Sequence, residues 1–177
     1  YLCYNIFLFE KVTKLSAIIS ECGKYRYRLE RDINQDGPIV AGVMINPSTA
    51  DATEDDHTIR KWIGLAQRNG WSKVIIGNKF AYRATDVKQL KLVSEPVGPE
   101  NDEHLRKIID DADIVIAAWG PLTKVPKDFQ NRWKHIKLLC YAAGKKLHCF
   151  GEPTKDGSPR HPLMISYNTP INLWPGY

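Results

Sequence analysis

The sequence predicts an α/β fold, a three-layer α/β/α sandwich with a mainly parallel, four-stranded central sheet and an antiparallel N-terminal hairpin. Three observations predict it. Apolar, β-branched runs alternate along the chain with amphipathic helical patterns, the signature of parallel strands joined by right-handed crossovers. Glycine or turn chemistry stands at the element boundaries. Four short polar segments, Met44-Ile45-Asn46-Pro47-Ser48, Asn78-Lys79-Phe80-Ala81-Tyr82-Arg83, Ala118-Trp119-Gly120 and Pro159-Arg160-His161-Pro162-Leu163, each follow an apolar run. In an open parallel sheet, side chains just past the carboxyl ends of the strands converge on one crevice, so the four segments are expected to line a single pocket.

Residues 24–31 alternate basic and apolar side chains as a half-exposed strand, and Asn34-Gln35-Asp36-Gly37 supplies the turn that returns it to a strand over 39–45. Thr53 is placed to cap a helix whose first turn carries Glu54, Asp55 and Asp56, with Ile59, Trp62, Ile63 and Ala66 at helical spacing and a stop at Gly70. A short strand over 74–77 follows. Pro99 opens a second helix with Leu105, Ile108, Ile109 and Ala112 on one face, leading into a buried strand over 114–118. A third helix is expected over about 127–143, with Phe129, Trp133, Ile136, Cys140 and Ala143 inward and Gly144 at its end. The last core strand spans 147–150. No linker or low-complexity block divides the 177 residues, so one domain is expected, with its core over about 24–166. Residues 1–23 and the tail 167–177 carry no clear pattern.

The formal net charge of +5 is modest. Lys124, Lys127, Arg132, Lys134, Lys137, Lys145, Lys146, Lys155 and Arg160 nevertheless crowd the last third, which suits a polyanionic partner or a solvated helix face. Cys3, Cys22, Cys140 and Cys149 form no C-x-x-C pair and have no histidine at zinc-finger spacing, so buried free thiols in a reducing cytoplasm are expected. The apolar residues 2–9 lack a basic start and a cleavage site, and are too short and interrupted for a membrane span.

Asn46-Pro47 after a strand forms a stiff turn and presents an amide able to hold a water molecule. Asn78 offers an amide that pairs with a base edge or another planar amide, and Phe80 and Tyr82 are either stacking surfaces or core. Trp119-Gly120 reads as packing or pocket wall. His161, held between Arg160 and Pro162, can stabilise an anionic leaving group by hydrogen bonding.

In their order and strand positions these segments resemble the uracil-DNA glycosylase superfamily over roughly residues 37–163. Residues 44–51, 78–85 and 159–163 are more closely similar to a bacterial and phage family of the DUF1643 type, to which antiphage glycosylases that remove bulky modified cytosines belong. The resemblance implies that Asn46 orients the attacking water, that Asn78 reads a flipped base bordered by Phe80 or Tyr82, and that His161 hydrogen-bonds the departing base. It also implies that Leu163 or Met164 wedges into the vacated stack. Ser48 stands where the pattern has glycine and Leu163 where it has a small polar residue, which argues against plain uracil as the substrate. Ser48 and Trp119 complete the expected base pocket, with Arg83, Lys155 and Arg160 on the DNA backbone.

The implied reaction is hydrolysis of an N-glycosidic bond through an oxocarbenium-like sugar. Asn46, His161 and a carboxylate would carry it. Asp51, five residues beyond Asn46, is either that carboxylate or a cap for the following helix; Asp55 and Asp56 are assigned to the helix start. No cofactor or metal is expected. The expected partner is double-stranded DNA, bound by a cytoplasmic monomer. A uracil or mismatch repair glycosylase, a non-catalytic sensor of modified DNA and a small-molecule nucleoside hydrolase are the alternatives.

Overall fold

The structure is a computed structural model that describes residues 15–48 and 50–177. The apolar stretch 2–9 and Cys3 lie outside the described residues. Seven strands form one mixed sheet: β1 (Leu15–Ile19), β2 (Arg26–Asp32), β3 (Ile39–Met44), β4 (Lys73–Asn78), β5 (Ile114–Ala117), β6 (Leu147–Phe150) and β7 (Ile171–Leu173), in the order β1-β2-β4-β3-β5-β6-β7. The four central strands β4-β3-β5-β6 are mutually parallel. Antiparallel β1 and β2 extend one side and antiparallel β7 the other. The sheet therefore has seven strands where four and a hairpin were expected.

The hairpin itself differs. β2 does not pair with β3; it pairs with β1 and β4, and β4 occupies the place beside β3. The turn at 34–37 is instead a crossover over the end of the first helix and the start of β4. Gln35 Nε2 donates to Ala66 O and Trp71 O at 3.0 and 2.8 Å, Ile33 N donates to Ser72 O, and Ser72 N donates to Pro38 O. Those bonds satisfy the polar backbone between two strands separated by a third.

Helix α1 (His57–Asn69) packs on one face of the sheet, and α2 (Asn101–Asp111) and α3 (Arg132–Ala142) on the other. α1 starts one turn later than expected, because Asp51 Oδ1 takes the Thr53 N–H, the Thr53 hydroxyl and the Glu54 N–H into a local turn. Asp56 caps the helix, accepting from Ile59 N at 2.9 Å, and Gly70 closes it in the left-handed region at φ 69°. The expected third helix is split into a 3-10 turn, Lys127–Phe129, and α3. Gln130 Nε2 donates to Leu122 O and Val125 O there, and Phe129 turns aside to pack on Phe80 with ring centroids 5.5 Å apart.

β3 has neighbours on both edges and helices over both faces, so it is apolar throughout and small at its middle. A Cβ at Gly42 would lie 2.5 Å from Trp62 of α1 and 2.8 Å from Ile76. The tail adds β7 and an aromatic cluster in which Trp174 meets Trp119, Trp133 and Tyr177 edge-on at 5.1, 5.7 and 5.2 Å. Cys140 and Cys149 are buried, whereas Cys22 is exposed beyond β1, contrary to expectation. Gly42→Ala should lower stability by about 1–3 kcal/mol through overpacking against Trp62; a shift of the urea midpoint at constant slope measures it, and an unchanged midpoint would show that α1 is free to move off the strand.

Candidate functional site

The chain crosses from β3 to β4 through α1 on one side and from β4 to β5 through α2 on the other, so the direction of winding reverses at β3. A crevice outside the carboxyl ends of β3 and β5 is the expected ligand position in such a sheet. Three of the four sequence segments leave strands at this end, and their backbones are tied together: Lys79 N donates to Met44 O, Phe80 N to Ile45 O and Ala118 N to Val43 O, each at 2.9 Å. The fourth, 159–163, does not follow its strand directly but lies in the long loop after β6, which ends at Phe150.

Asn46 braces the next loop with its amide, Nδ2 donating to Ala84 O at 2.7 Å and to Pro47 O at 3.1 Å. Its Oδ1 accepts no hydrogen bond from the described residues and is left for a donor such as water. Ser48, Tyr82 and Arg83 share the wall of one open cleft. Asn78 is 1% exposed and its Nδ2 has no hydrogen-bond partner among the described residues. Gly77, just before it, is covered by Leu105 and Ile108 of α2, so the pleat turns Asn78 toward the α1 face. Phe80 is also 1% exposed, in a satellite core with Leu90, Val125 and Phe129. Trp119 joins the core on the α2 and α3 face, its Nε1 donating to Tyr177 Oη at 3.1 Å.

His161 stands beside Gly120, where an added Cβ would touch the histidine Cβ at 3.4 Å and where φ is 73°. Its Nδ1 accepts the Leu163 N–H at 3.3 Å, so the neutral ring carries its proton on Nε2. Burial lowers its pKa below the ordinary histidine value, partly opposed by the nearby Asp56 carboxylate. Leu163 and Met164 follow on a one-turn 3-10 helix (Pro162–Met164) and are 50% and 75% exposed. Lys61 of α1 holds the segment beyond, donating to Ile165 O at 2.8 Å and lying 3.6 Å over the Tyr167 ring, which rests on Gly64. Lys155 is exposed in the preceding loop, and Arg160 Nε donates to Glu152 O at 2.9 Å.

Two buried arginines fix the loop between Asn46 and α1. Arg31 binds Asp55 Oδ1 at 2.7 Å and Asp51 O at 2.6 Å. Asp55 thus serves this ion pair rather than the helix start. A β-bulge at Tyr27, where Ile18 faces Arg28 and Ile19 faces Arg26, aims Arg26 at the same loop, and its Nη1 donates to Ala50 O. Asp51 Oδ1 is committed to its turn, and those hydrogen bonds keep its carboxyl below the usual range. Among the basic residues of the last third, Arg132 is engaged by Asp102 and by Lys79 O, and Lys145 by Ala112 O.

Lys79 has no distinguishing signal in the sequence. It is 0% exposed, its Nζ has no hydrogen-bond partner among the described residues, and it lies 4.9 Å from the Trp119 ring centroid. Burial, with a smaller contribution from the positive charge of Arg132, brings its pKa down to about 7. Asn101, also buried, donates to Asn78 O and Lys79 O at 3.0 and 3.3 Å and closes the end of β4. Asp56, assigned to the helix start, additionally acts on His161. None of these roles has a local sequence signal, since each depends on what a distant element brings alongside.

Among the described residues no group of three His, Cys, Asp or Glu side chains is arranged to hold a metal ion, and no helix is long and apolar enough to cross a membrane. A family described as a protein of unknown function (DUF1643) matches residues 26–163. The chain belongs to that family, and the matched span holds all four segments of the candidate site. No curated protein and no solved structure matches the chain.

Because folded Lys79 releases its proton near pH 7 and an unfolded lysine near 10.5, stability is reduced below about pH 7 and rises as pH increases towards 10.5. Lys79→Met should abolish that rise and stabilise the protein at neutral pH by about 2 kcal/mol or more, because a buried amine without a partner is costly. Urea unfolding of both proteins at neutral and alkaline pH checks this; a parallel pH dependence in the variant would mean the amine is solvated.

Proposed function

We propose that the protein is a DNA N-glycosylase of uracil-DNA glycosylase-like α/β/α architecture, hydrolysing the N-glycosidic bond of a flipped, hypermodified base such as glucosylated hydroxymethylcytosine in phage DNA. The observation that carries this reading is the segment His161 to Met164: a half-buried neutral imidazole with Nε2–H available, followed at once by two exposed apolar side chains on a braced turn. A wedge beside a leaving-group donor is what base extrusion and departure require together.

In the proposed reaction water adds to C1′ of the sugar as the C1′–N bond breaks. The base leaves with the bonding electrons, and the water proton passes to solvent. Asn46 Oδ1 accepts from that water and orients it, while His161 Nε2–H bonds the departing base and opposes the build-up of its negative charge. Asp51 and Asp56 supply negative charge opposite the oxocarbenium-like sugar. The unpartnered Asn78 Nδ2 supports its role as base reader, since a buried donor without a partner gains most from a ligand acceptor. Ser48 in place of a glycine, and Leu163 in place of a small polar residue, support a substrate larger than uracil. Arg83, Lys155 and Arg160 would contact phosphates of double-stranded DNA.

Incubation of the purified protein with unmodified, uracil-containing and phage-modified DNA, followed by detection of abasic sites and released base, tests the proposal. Excision from the modified DNA alone is expected. Tight binding without abasic sites would make the protein a sensor, excision from uracil DNA alone would return it to repair, and release of base from free nucleosides alone would make it a small-molecule hydrolase. His161→Ala should reduce excision by about a hundredfold while leaving duplex affinity near that of the wild type; undiminished excision would remove His161 from the chemistry.

A further inference from the structure

Beside the loop that carries Asn46 is an open cleft of about 320 Å³ whose lining includes Lys24, Ser48, Tyr82, Arg83, Thr85 and Gln89. Each of these side chains carries a hydrogen-bond donor, and among the described residues no carboxylate lines the cleft. Lys24 and Arg83 form no ion pair among the described residues; Arg83 reaches only the Gly23 carbonyl, at 3.4 Å. A third cation backs them. Arg26 is 3% exposed, its Nε is buried without a partner, and it is close enough to Arg83 to feel its charge. Burial, the Arg83 charge and the Arg31 charge together outweigh the attraction of Asp56 and Asp51 and hold the Arg26 guanidinium down to about 10. Burial is the main cause of that shift; the cleft itself presents the two cations Lys24 and Arg83 on a wall with no carboxylate among the described residues, which favours an incoming anion.

The cleft also shares a wall with the candidate site. Ala84 lines it, and the same residue accepts from Asn46 Nδ2 at 2.7 Å while its own N–H donates to Pro47 O at 2.9 Å. An anion seated there lies against the loop that holds Asn46. The cleft is open to solvent along its length, which suits a ligand that continues on either side more than one that must be enclosed.

We infer that this cleft is a phosphate subsite for a nucleic-acid strand, in which Lys24 and Arg83 hold a phosphodiester oxyanion next to the nucleotide presented to Asn46. The identity of the strand rests on the proposed glycosylase reading, whereas the preference for an oxyanion rests on the cleft. It engages the strand through its backbone, so it contributes affinity and register without reading sequence.

The test is a titration of the full chain with fluorescently labelled duplex over a range of salt concentrations, with abasic sites assayed in parallel. Lys24→Gln and Arg83→Gln should each weaken binding to all sequences and reduce the slope of log K against log salt by about one, as expected when one fewer phosphate is neutralised. Arg83→Lys should recover most of the slope, and thermal unfolding of each variant should match the wild type. Unchanged affinity and slope in both glutamine variants would overturn the inference. So would binding of inorganic phosphate or a nucleoside monophosphate that the variants lose while duplex affinity is retained, which would assign the cleft to a free anion. A reduced slope in a protein that excises no base would sink the glycosylase reading and leave the subsite standing; excision with an unaltered slope would do the reverse.

Discussion

The insertion of β4 between β2 and β3 is the constraint on which the rest of the molecule depends. It makes β3 an interior strand with parallel neighbours on both edges, and an interior parallel strand must be apolar on both faces and narrow where a helix crosses it. Gly42 meets that demand by letting the Trp62 indole lie on the strand. Trp62 in turn donates to Met44 Sδ at 3.3 Å, so the seat of α1 and the end of β3 are set together. Because β4 and β5 run alongside in the same direction, Asn46, Asn78 and Gly120 leave the sheet at one end. His161 is then brought to Gly120 by the loop after β6.

Charge buried around this end divides the molecule's work. Arg31 is fully engaged by Asp55 and by backbone carbonyls, and functions as a structural clamp on the loop leading to α1. Among the described residues Arg26 is engaged on one nitrogen and left open on another, and the Lys79 amine has no hydrogen-bond partner. A protein that shields cations so incompletely gives up stability at those positions. At Arg26 the buried Nε lies close enough to the cleft residue Arg83 to feel its charge, and the proposed anion in the cleft would offset that repulsion. At Lys79 the deficit lies in the opposite core beneath Trp119, where the deprotonated amine relieves it instead.

The proposed chemistry fits this division. Hydrolysis of a glycosidic bond develops positive charge on the sugar and negative charge on the base, so its centre needs a hydrogen-bond donor that is not itself a full cation, and carboxylates at a distance. A neutral imidazole with Nδ1 tied to Leu163 N–H, and Asp56 at the head of α1, meet that description. In the proposed reading the full cations contact phosphates and position the strand. Lys61 and Tyr167 brace the segment after Met164 against α1, which would reduce the conformational entropy lost if Leu163 and Met164 entered a duplex as proposed.

Local rules sufficed for much of this. The strand runs, the helix faces of α1 and α2, the stops at Gly70 and Gly144, and the presence of polar segments after successive strands all follow from periodicity and turn chemistry within short windows. By itself the sequence therefore determined an α/β chain with Asn46 and Asn78 at strand ends, because hydrophobic period and backbone propensity are carried by neighbouring residues; the long loop that separates His161 from β6 was not legible in it. Tertiary structure alone decided the partners. A strand cannot announce that another will insert beside it, so the expected hairpin of β2 with β3 gave way once β4 supplied the better-buried neighbour. The tail became β7 and an aromatic cover only because Trp119 and Trp133 present ring surfaces for Trp174 and Tyr177 to meet. Phe80 went into a satellite core, Asp55 to Arg31, and Lys79 to a buried place beside Trp119 for the same reason: burial, ion pairing and a shifted pKa are properties of what surrounds a side chain, and those surroundings come from residues tens of positions away.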